Sequence, residues 1–391
     1  MTKFLSRVLH NPEIFQNWRS VLVFLVLTRL LLNIPALIGA NQVPLRAGVP
    51  STVINPTQMP NFWARWDSEF YLQVSEKWLP QKGQELAFFP MYPILIHLGS
   101  LGVAGLGTWA GYLISNLAFI LAALLLWLQV KLEFNVGAAW STILTLSFFP
   151  TSLFFSAVYS ESVFLLFSVL VYWFSVREKY AYSALFVGLA ALTRVTGILL
   201  LLIPFIEIFT RKASGKWIKL FYCAGISSLG LFLYGAYLRV TRGSPFAFMR
   251  VQNTFGRKTP ITWPWKSFLD SLRVALVGYG GLQNDWVARS TSALEVVAVL
   301  ILGICIIGAF FLLRKSLFAY SFIALVLLMI AHGPSVLGLW SMSRYVLALF
   351  PGFMVLGIVL ERAPRLKWVW VPCIALLIYL TICFTNGRWV D

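Results

Sequence analysis

AYSALFVGLAALTRVTGILLLLIPFIEIF, residues Ala181–Phe209, is apolar over more length than one bilayer crossing needs. A spanning helix takes roughly 20 mainly apolar residues. This run is longer, and Thr193-Arg194-Val195-Thr196-Gly197 interrupts it near the middle. A charge at membrane depth must face protein or water. The stretch therefore reads as two short crossings that meet at Arg194, the mark of a helical bundle built inside a membrane.

The rest of the chain agrees. Hydrophobic residues make up 59% of the 391, charged residues 12%, and mean hydropathy is +0.80. A soluble core stops growing well before such a fraction, so a polytopic integral membrane protein is expected. The net charge of +17 is not gathered into the concentrated patch that nucleic-acid binding requires. It falls in short clusters between apolar runs: Arg211, Lys212, Lys216 and Lys219, then Arg314-Lys315, then Arg362, Arg365 and Lys367. That is the pattern of cytoplasmic loops under the positive-inside rule, and no nucleic-acid partner is expected. Cys223, Cys305, Cys373 and Cys383 lie in apolar segments without CxxC spacing, and His10, His97 and His332 are scattered, so neither a disulfide framework nor a metal site is expected. The basic N-terminal stretch is long and the span after it carries Arg29, which favours an uncleaved first helix over a signal peptide.

Further crossings are expected near Val21–Ile38, Met91–Leu106, Tyr112–Val130, Leu153–Phe174, Trp217–Val240, Leu294–Leu313, Phe318–Ile330, Arg344–Leu360 and Lys367–Phe384. Val136–Phe149 is apolar but short, as a re-entrant or half-crossing segment would be. The expected fold is all-α, with about ten to twelve transmembrane helices in a single domain over residues 1–391. Two long hydrophilic loops, about 40–87 and about 241–293, fall outside the cytoplasm once the basic clusters are placed inside. Both carry the tryptophans of an interfacial, structured loop.

The chain has only 14 acidic residues, and one of them, Asp67, lies in Phe62-Trp63-Ala64-Arg65-Trp66-Asp67-Ser68-Glu69-Phe70-Tyr71. Acids near a membrane are costly unless they do something. Asp67 can be a helix N-cap, or a general base aimed at a hydroxyl from a site walled by aromatics. Downstream, Phe88-Phe89-Pro90-Met91-Tyr92-Pro93 supplies a rigid turn that orients Tyr92. Glu161, in Tyr159-Ser160-Glu161-Ser162, is flanked by apolar runs and is expensive unless it faces a polar cavity or a helix-packing hydrogen bond. Arg250, Arg257 and Lys258 offer charge for a phosphate or for lipid headgroups. Arg344, in Ser343-Arg344-Tyr345, starts a span on the side where the positive-inside rule disfavours it, which points to an anion contact.

In order along the chain, Arg65-Trp66-Asp67-Ser68 with Tyr71, Phe88-Phe89-Pro90-Met91-Tyr92-Pro93, Pro150 with Tyr159-Ser160-Glu161-Ser162, Leu192-Thr193-Arg194-Val195-Thr196-Gly197, Ser244-Pro245-Phe246-Ala247-Phe248 with Gln252 and Gly256-Arg257, and Arg344-Tyr345 with Pro351 form one set. The set resembles the integral-membrane glycosyltransferases related to the second mannosyltransferase of GPI-anchor synthesis (the PIG-V type), including their bacterial homologues. The resemblance implies a GT-C-type bundle with structured external loops. It also implies an inverting transfer of a hexose, mannose first, from a polyprenyl-phosphate carrier to a lipid or glycan hydroxyl. Asp67 would be the catalytic base, with Arg65, Trp66, Glu69, Tyr92, Glu161, Arg194, Gln252, Arg257, Arg344 and Tyr345 around donor and acceptor. No cofactor and no metal is expected, because no paired-carboxylate metal motif is visible. The expected setting is a bacterial inner (plasma) membrane, with the site on the extracytoplasmic face. Two other readings compete. A transporter or flippase of a lipid-linked sugar would more often show internal repeats and midplane charges, and a non-catalytic subunit would leave the Asp67 cluster without a use.

Overall fold

The computed structural model describes residues 17–42, 55–103, 105–211, 215–251, 263–278, 286–330, 338–339 and 341–390, and its regular elements are all helical. In chain order the α-helices are α1 (Trp18–Leu31), α2 (Asn33–Ala40), α3 (Ser68–Lys77), α4 (Met91–Gly99), α5 (Gly107–Glu133) and α6 (Val136–Phe148). They continue with α7 (Glu161–Ser175), α8 (Tyr180–Thr193), α9 (Leu202–Thr210), α10 (Lys216–Arg242), α11 (Ala247–Val251) and α12 (Pro264–Val277). The remainder are α13 (Trp286–Leu312), α14 (Lys315–Ile330), α15 (Met342–Tyr345), α16 (Phe350–Arg362) and α17 (Trp370–Thr385).

Five stretches among the described residues are long and apolar enough to cross a membrane: Trp18–Ala40, Gly107–Glu133, Lys216–Arg242, Arg289–Leu312 and Pro364–Thr385. A sixth arises if Met342–Ala348 and Phe350–Arg362, bent by 81°, count as one. Five more apolar helices are only 10–17 residues long, so the expected ten to twelve crossings are approached only by including them.

The shortness of these helices has local causes. Phe149 takes an extended conformation (φ −58°, ψ 137°), as a residue before proline must, and ends α6 ahead of Pro150. Arg194 is extended (φ −151°, ψ 132°) and separates α8 from a 3-10 turn over Val195–Leu201. That is the break expected at this arginine. Pro351, in the first turn of α16, sits at the bend after α15. Two expected spans are shorter than the sequence suggested. The segment from Met91 stops at Gly99, because Leu101 and Gly102 turn in the left-handed region (φ 54° and 69°). The segment from Leu153 enters its α-helix only at Glu161, which places that acid in a first helical turn instead of mid-span.

Where helices cross closely, glycine makes room. A Cβ on Gly357 of α16 would run into the backbone and hydroxyl of Thr142 on α6, and one on Gly39 of α2 would strike the Ile382 carbonyl and Thr385 on α17. Arg29, 3% exposed on α1, donates to the carbonyls of Ser147 and Ser152 at 3.1 Å each and lies 4.6 Å over the Phe119 ring. It thus serves Ser147 O at the end of α6, which also accepts from Ser152 Oγ at 2.7 Å, and Ser152 O in the 3-10 turn beyond. Arg29→Leu is expected to lower stability by about 1–3 kcal/mol, the cost of leaving the buried Ser152 carbonyl without its donor. Thermal unfolding in detergent reads this, and an unchanged midpoint would show that this carbonyl finds another partner.

At the end of the bundle opposite Asp67, Glu133 (α5) accepts from Tyr172 (α7) at 2.7 Å and from Arg314 Nε at 2.9 Å. Glu207 (α9) accepts from Ser316 (α14) at 2.7 Å and from Arg211 Nε at 3.2 Å. The basic clusters read from the sequence around Arg211 and Arg314 sit at this end.

Candidate functional site

The site grows from the turn before α3. Asp67 holds the N-cap position of that helix by its backbone, yet its side chain makes no capping bond. The capping reading of Asp67 is therefore not what the side chain does. Its Oδ2 accepts from Arg344 Nη1 at 2.8 Å. Arg344 Nε lies 3.3 Å from Glu161 Oε1, and Arg194 Nη1 donates to that same oxygen at 2.8 Å. Asp67, Arg344, Glu161 and Arg194 thus form an alternating chain of two carboxylates and two guanidiniums. They come from the first long loop, α15, the start of α7 and the break after α8.

Exposure along this chain is graded. The two central side chains are buried (Arg344 5%, Glu161 2%), whereas Asp67 at one end is 20% exposed and Arg194 at the other 19%. An uncompensated buried charge would cost several kcal/mol, and alternation supplies the compensation. The position of Glu161 in the first turn of α7 adds the favourable end of that helix dipole. The two ends that keep partial exposure are the Asp67 and Arg194 side chains.

Aromatic rings frame the array. The Arg344 guanidinium lies 5.2 Å from the ring centres of Tyr159 and Tyr345 and 5.5 Å from Phe154, and Arg194 lies 4.5 Å from Tyr345. Tyr345 also receives a long bond, 3.4 Å, from Arg344 Nη2. Such stacking suits guanidinium better than ammonium. The Thr151 hydroxyl donates to the Ser343 carbonyl at 2.7 Å, and Ser341 N donates to Glu295 Oε1 at 2.6 Å. Those two bonds set where Arg344 leaves the backbone.

The backbone of Asp67 is fixed as firmly as its carboxylate. Its amide donates to the Tyr159 hydroxyl at 3.3 Å, and that hydroxyl donates to the Arg65 carbonyl at 3.2 Å. Tyr159, two residues before Glu161, was part of the sequence motif but not among the site candidates, because nothing in the sequence distinguishes a positioning phenol from a packing one. Tyr71 shares a 2.9 Å hydrogen bond with Ser160, and burial, followed by Glu161, pushes its phenol well up, so it stays protonated.

Five of the candidate residues, Asp67, Glu161, Arg194, Arg344 and Tyr345, converge here. The others do not join them in the same way. Arg65 spends all five guanidinium donors on backbone carbonyls: Thr385 twice, at 3.0 and 2.8 Å, and Asn61, Ala64 and Pro56 at 3.0, 2.9 and 2.9 Å. Burial lowers its pKa to about 10, and it has no donor left for a substrate. Trp66 turns its indole N–H to the Arg388 carbonyl at 3.3 Å. Glu69 accepts from Gln73 at 3.1 Å, one turn along α3. The Tyr92 hydroxyl is taken by the Gly111 carbonyl at 3.0 Å and Ser115 at 2.8 Å. Gln252 and Arg257, with Lys258, lie outside the described residues.

Against known proteins, residues 14–238 match the family described as mannosyltransferase (PIG-V). GPI mannosyltransferase 2 of Drosophila melanogaster is 30% identical over 109 residues, 25% of this chain and 24% of that protein. Its counterpart from Drosophila pseudoobscura pseudoobscura is 32% identical over 109 residues, with the same shares. The match thus spans about a quarter of the length of these relatives. In three dimensions the chain is similar to ArnT from Cupriavidus metallidurans, solved bound to undecaprenyl phosphate, with a TM-score of 0.56 at 14% identity, over 90% of this chain and 63% of ArnT. The fold is therefore of the GT-C type, an integral multi-pass membrane architecture.

Proposed function

This chain belongs to the mannosyltransferase (PIG-V) family, and on that premise we propose that it moves a hexose, mannose first, from a polyprenyl-phosphate carrier to a hydroxyl of a lipid or glycan acceptor, with inversion. The observation that carries the reading is the graded chain Asp67–Arg344–Glu161–Arg194, whose partly exposed ends are an aspartate and an arginine. Inverting transfer asks for those two groups.

In the proposed step Asp67 takes the proton of the acceptor hydroxyl as its oxygen forms a bond to the anomeric carbon. The bond from that carbon to the phosphate oxygen breaks with its electron pair, and the polyprenyl phosphate leaves with one more negative charge. Arg194, and Arg344 once it turns from Asp67, stabilise that charge by charge-assisted hydrogen bonds. In the resting pair Arg344 Nη1 is bonded to Asp67 Oδ2. An arriving phosphate competes with that carboxylate for the guanidinium.

The reaction is proposed to proceed without a metal, because both carboxylates of the array already face guanidiniums that neutralise them. The basic clusters at the far end of the bundle support an active site on the extracytoplasmic face, in a bacterial inner membrane. The test is purified protein given labelled mannosyl-phosphoryl-undecaprenol and a lipid extract of the source membranes. Label is expected in a new lipid or glycan product, at a rate unaffected by EDTA. Movement of the donor between leaflets with no transfer would replace this reading with the flippase one. Activity lost to EDTA and restored by manganese would overturn the metal-free step.

A further inference from the structure

The segment after α17 packs against the loop that carries Asp67, a contact that no local sequence pattern encodes. Thr385 O accepts two of the Arg65 donors, and the Asn386 side chain donates to the carbonyls of Gly39 and Gln42 at 3.3 and 3.1 Å. Gly387 turns the chain in the left-handed region (φ 84°), Arg388 O accepts from the Trp66 indole at 3.3 Å, and the Trp389 ring meets Trp66 edge-on at 5.1 Å and 86°. Val390 beyond it is only 3% exposed. Trp66 itself has φ 52°, where a non-glycine residue is uncommon and must be held by its surroundings. Both residues preceding Asp67 are therefore pinned from one side by residues 385–389, and Asp67 is pinned from the other by Tyr159 and Arg344.

We propose that Thr385–Val390 acts as a strap that sets the direction of the Asp67 carboxylate, with Trp389 as its positioning residue. The inference rests on the reading of Asp67 as the base. A strap that only stabilised the fold would change the amount of folded protein. One that aims a base changes the rate at which each folded molecule turns over, since small misplacements of a reacting group are costly.

Trp389→Ala, Trp389→Phe and Trp389→Leu are compared by transfer from mannosyl-phosphoryl-undecaprenol, alongside Asp67→Asn. For Trp389→Ala, kcat per folded protein is expected to fall about tenfold, with KM for the donor changed by no more than about twofold and the thermal midpoint held. Trp389→Phe, which keeps an edge-on ring against Trp66, is expected to recover most of the rate. Trp389→Leu keeps apolar bulk and stands in if the alanine variant does not fold. An unchanged kcat in whichever of these two variants folds overturns the strap, as does a rise in KM with kcat intact. If Asp67→Asn still transfers, the base itself is wrong. If Asp67→Asn is inactive while the Trp389 variants turn over normally, only the strap is wrong.

Discussion

Asp67→Asn is expected to lower kcat by about 1,000-fold, or roughly 4 kcal/mol of transition-state stabilisation, while the protein folds and still binds undecaprenyl phosphate. The substitution is nearly isosteric. An amide oxygen can still accept from Arg344, so the geometry of the array should survive. What disappears is the capacity to take a proton, because an amide has no useful basicity. The cost to stability should be small, since Asp67 is 20% exposed and Arg344 keeps its 3.3 Å approach to Glu161. That separation of fold from rate is what makes the variant informative. Transfer within about threefold of the unaltered protein would exclude Asp67 as the base, because a positioned base commonly supplies 100-fold or more. Glu69→Gln run beside it addresses the other acid of the same turn. Its carboxylate accepts from Gln73 along α3, so its loss should leave transfer nearly intact.

The sequence carried the bundle and much of the site, for reasons that can be traced to residues. Apolar length shows α5 and α10 directly, because the runs Tyr112–Val130 and Trp217–Val240 are each close to one crossing long and carry charge only near their ends, if at all. Arg194 announced its own break, since a cation cannot stay in a straight lipid-facing helix. Asp67, Glu161 and Arg344 stood out because charged groups are scarce here and each has to find a partner. Which group would partner which was not legible. The Asp67–Arg344 bond joins residues 277 positions apart, and no local pattern encodes that distance. The assignments of Arg65, Trp66 and Tyr92 show the complementary limit. A polar residue inside a motif can serve the backbone beside the site as readily as a ligand within it, and only the positions of Thr385, Arg388 and Gly111 separate the two uses. Helix lengths were overstated at Met91 and Leu153 because hydropathy does not register left-handed turns at Leu101 and Gly102 or the late helix start at Glu161.

Arg344→Lys is expected to cut kcat/KM by about 100-fold even though formal charge is kept, in line with the loss of one preorganised charged donor at a transition state. Arg344 reaches Asp67 through Nη1 and Glu161 through Nε, and its plane lies against Tyr159 and Tyr345. One ammonium cannot make both approaches and the stacking together. Alanine would be the poorer choice. It leaves two carboxylates with Arg194 as their one remaining partner in the array, a change that costs about 3–5 kcal/mol and puts folding itself in question. The sharper measurement is the double variant. If Arg344 acts on the leaving phosphate and also restrains Asp67, the two residues work as a unit. Asp67→Asn with Arg344→Lys should then be little slower than Asp67→Asn alone, because groups acting as a unit are grossly non-additive. Full multiplication of the two single losses would mean that Arg344 stabilises charge independently of the base, and the proposed competition between phosphate and Asp67 for its guanidinium would have to be given up.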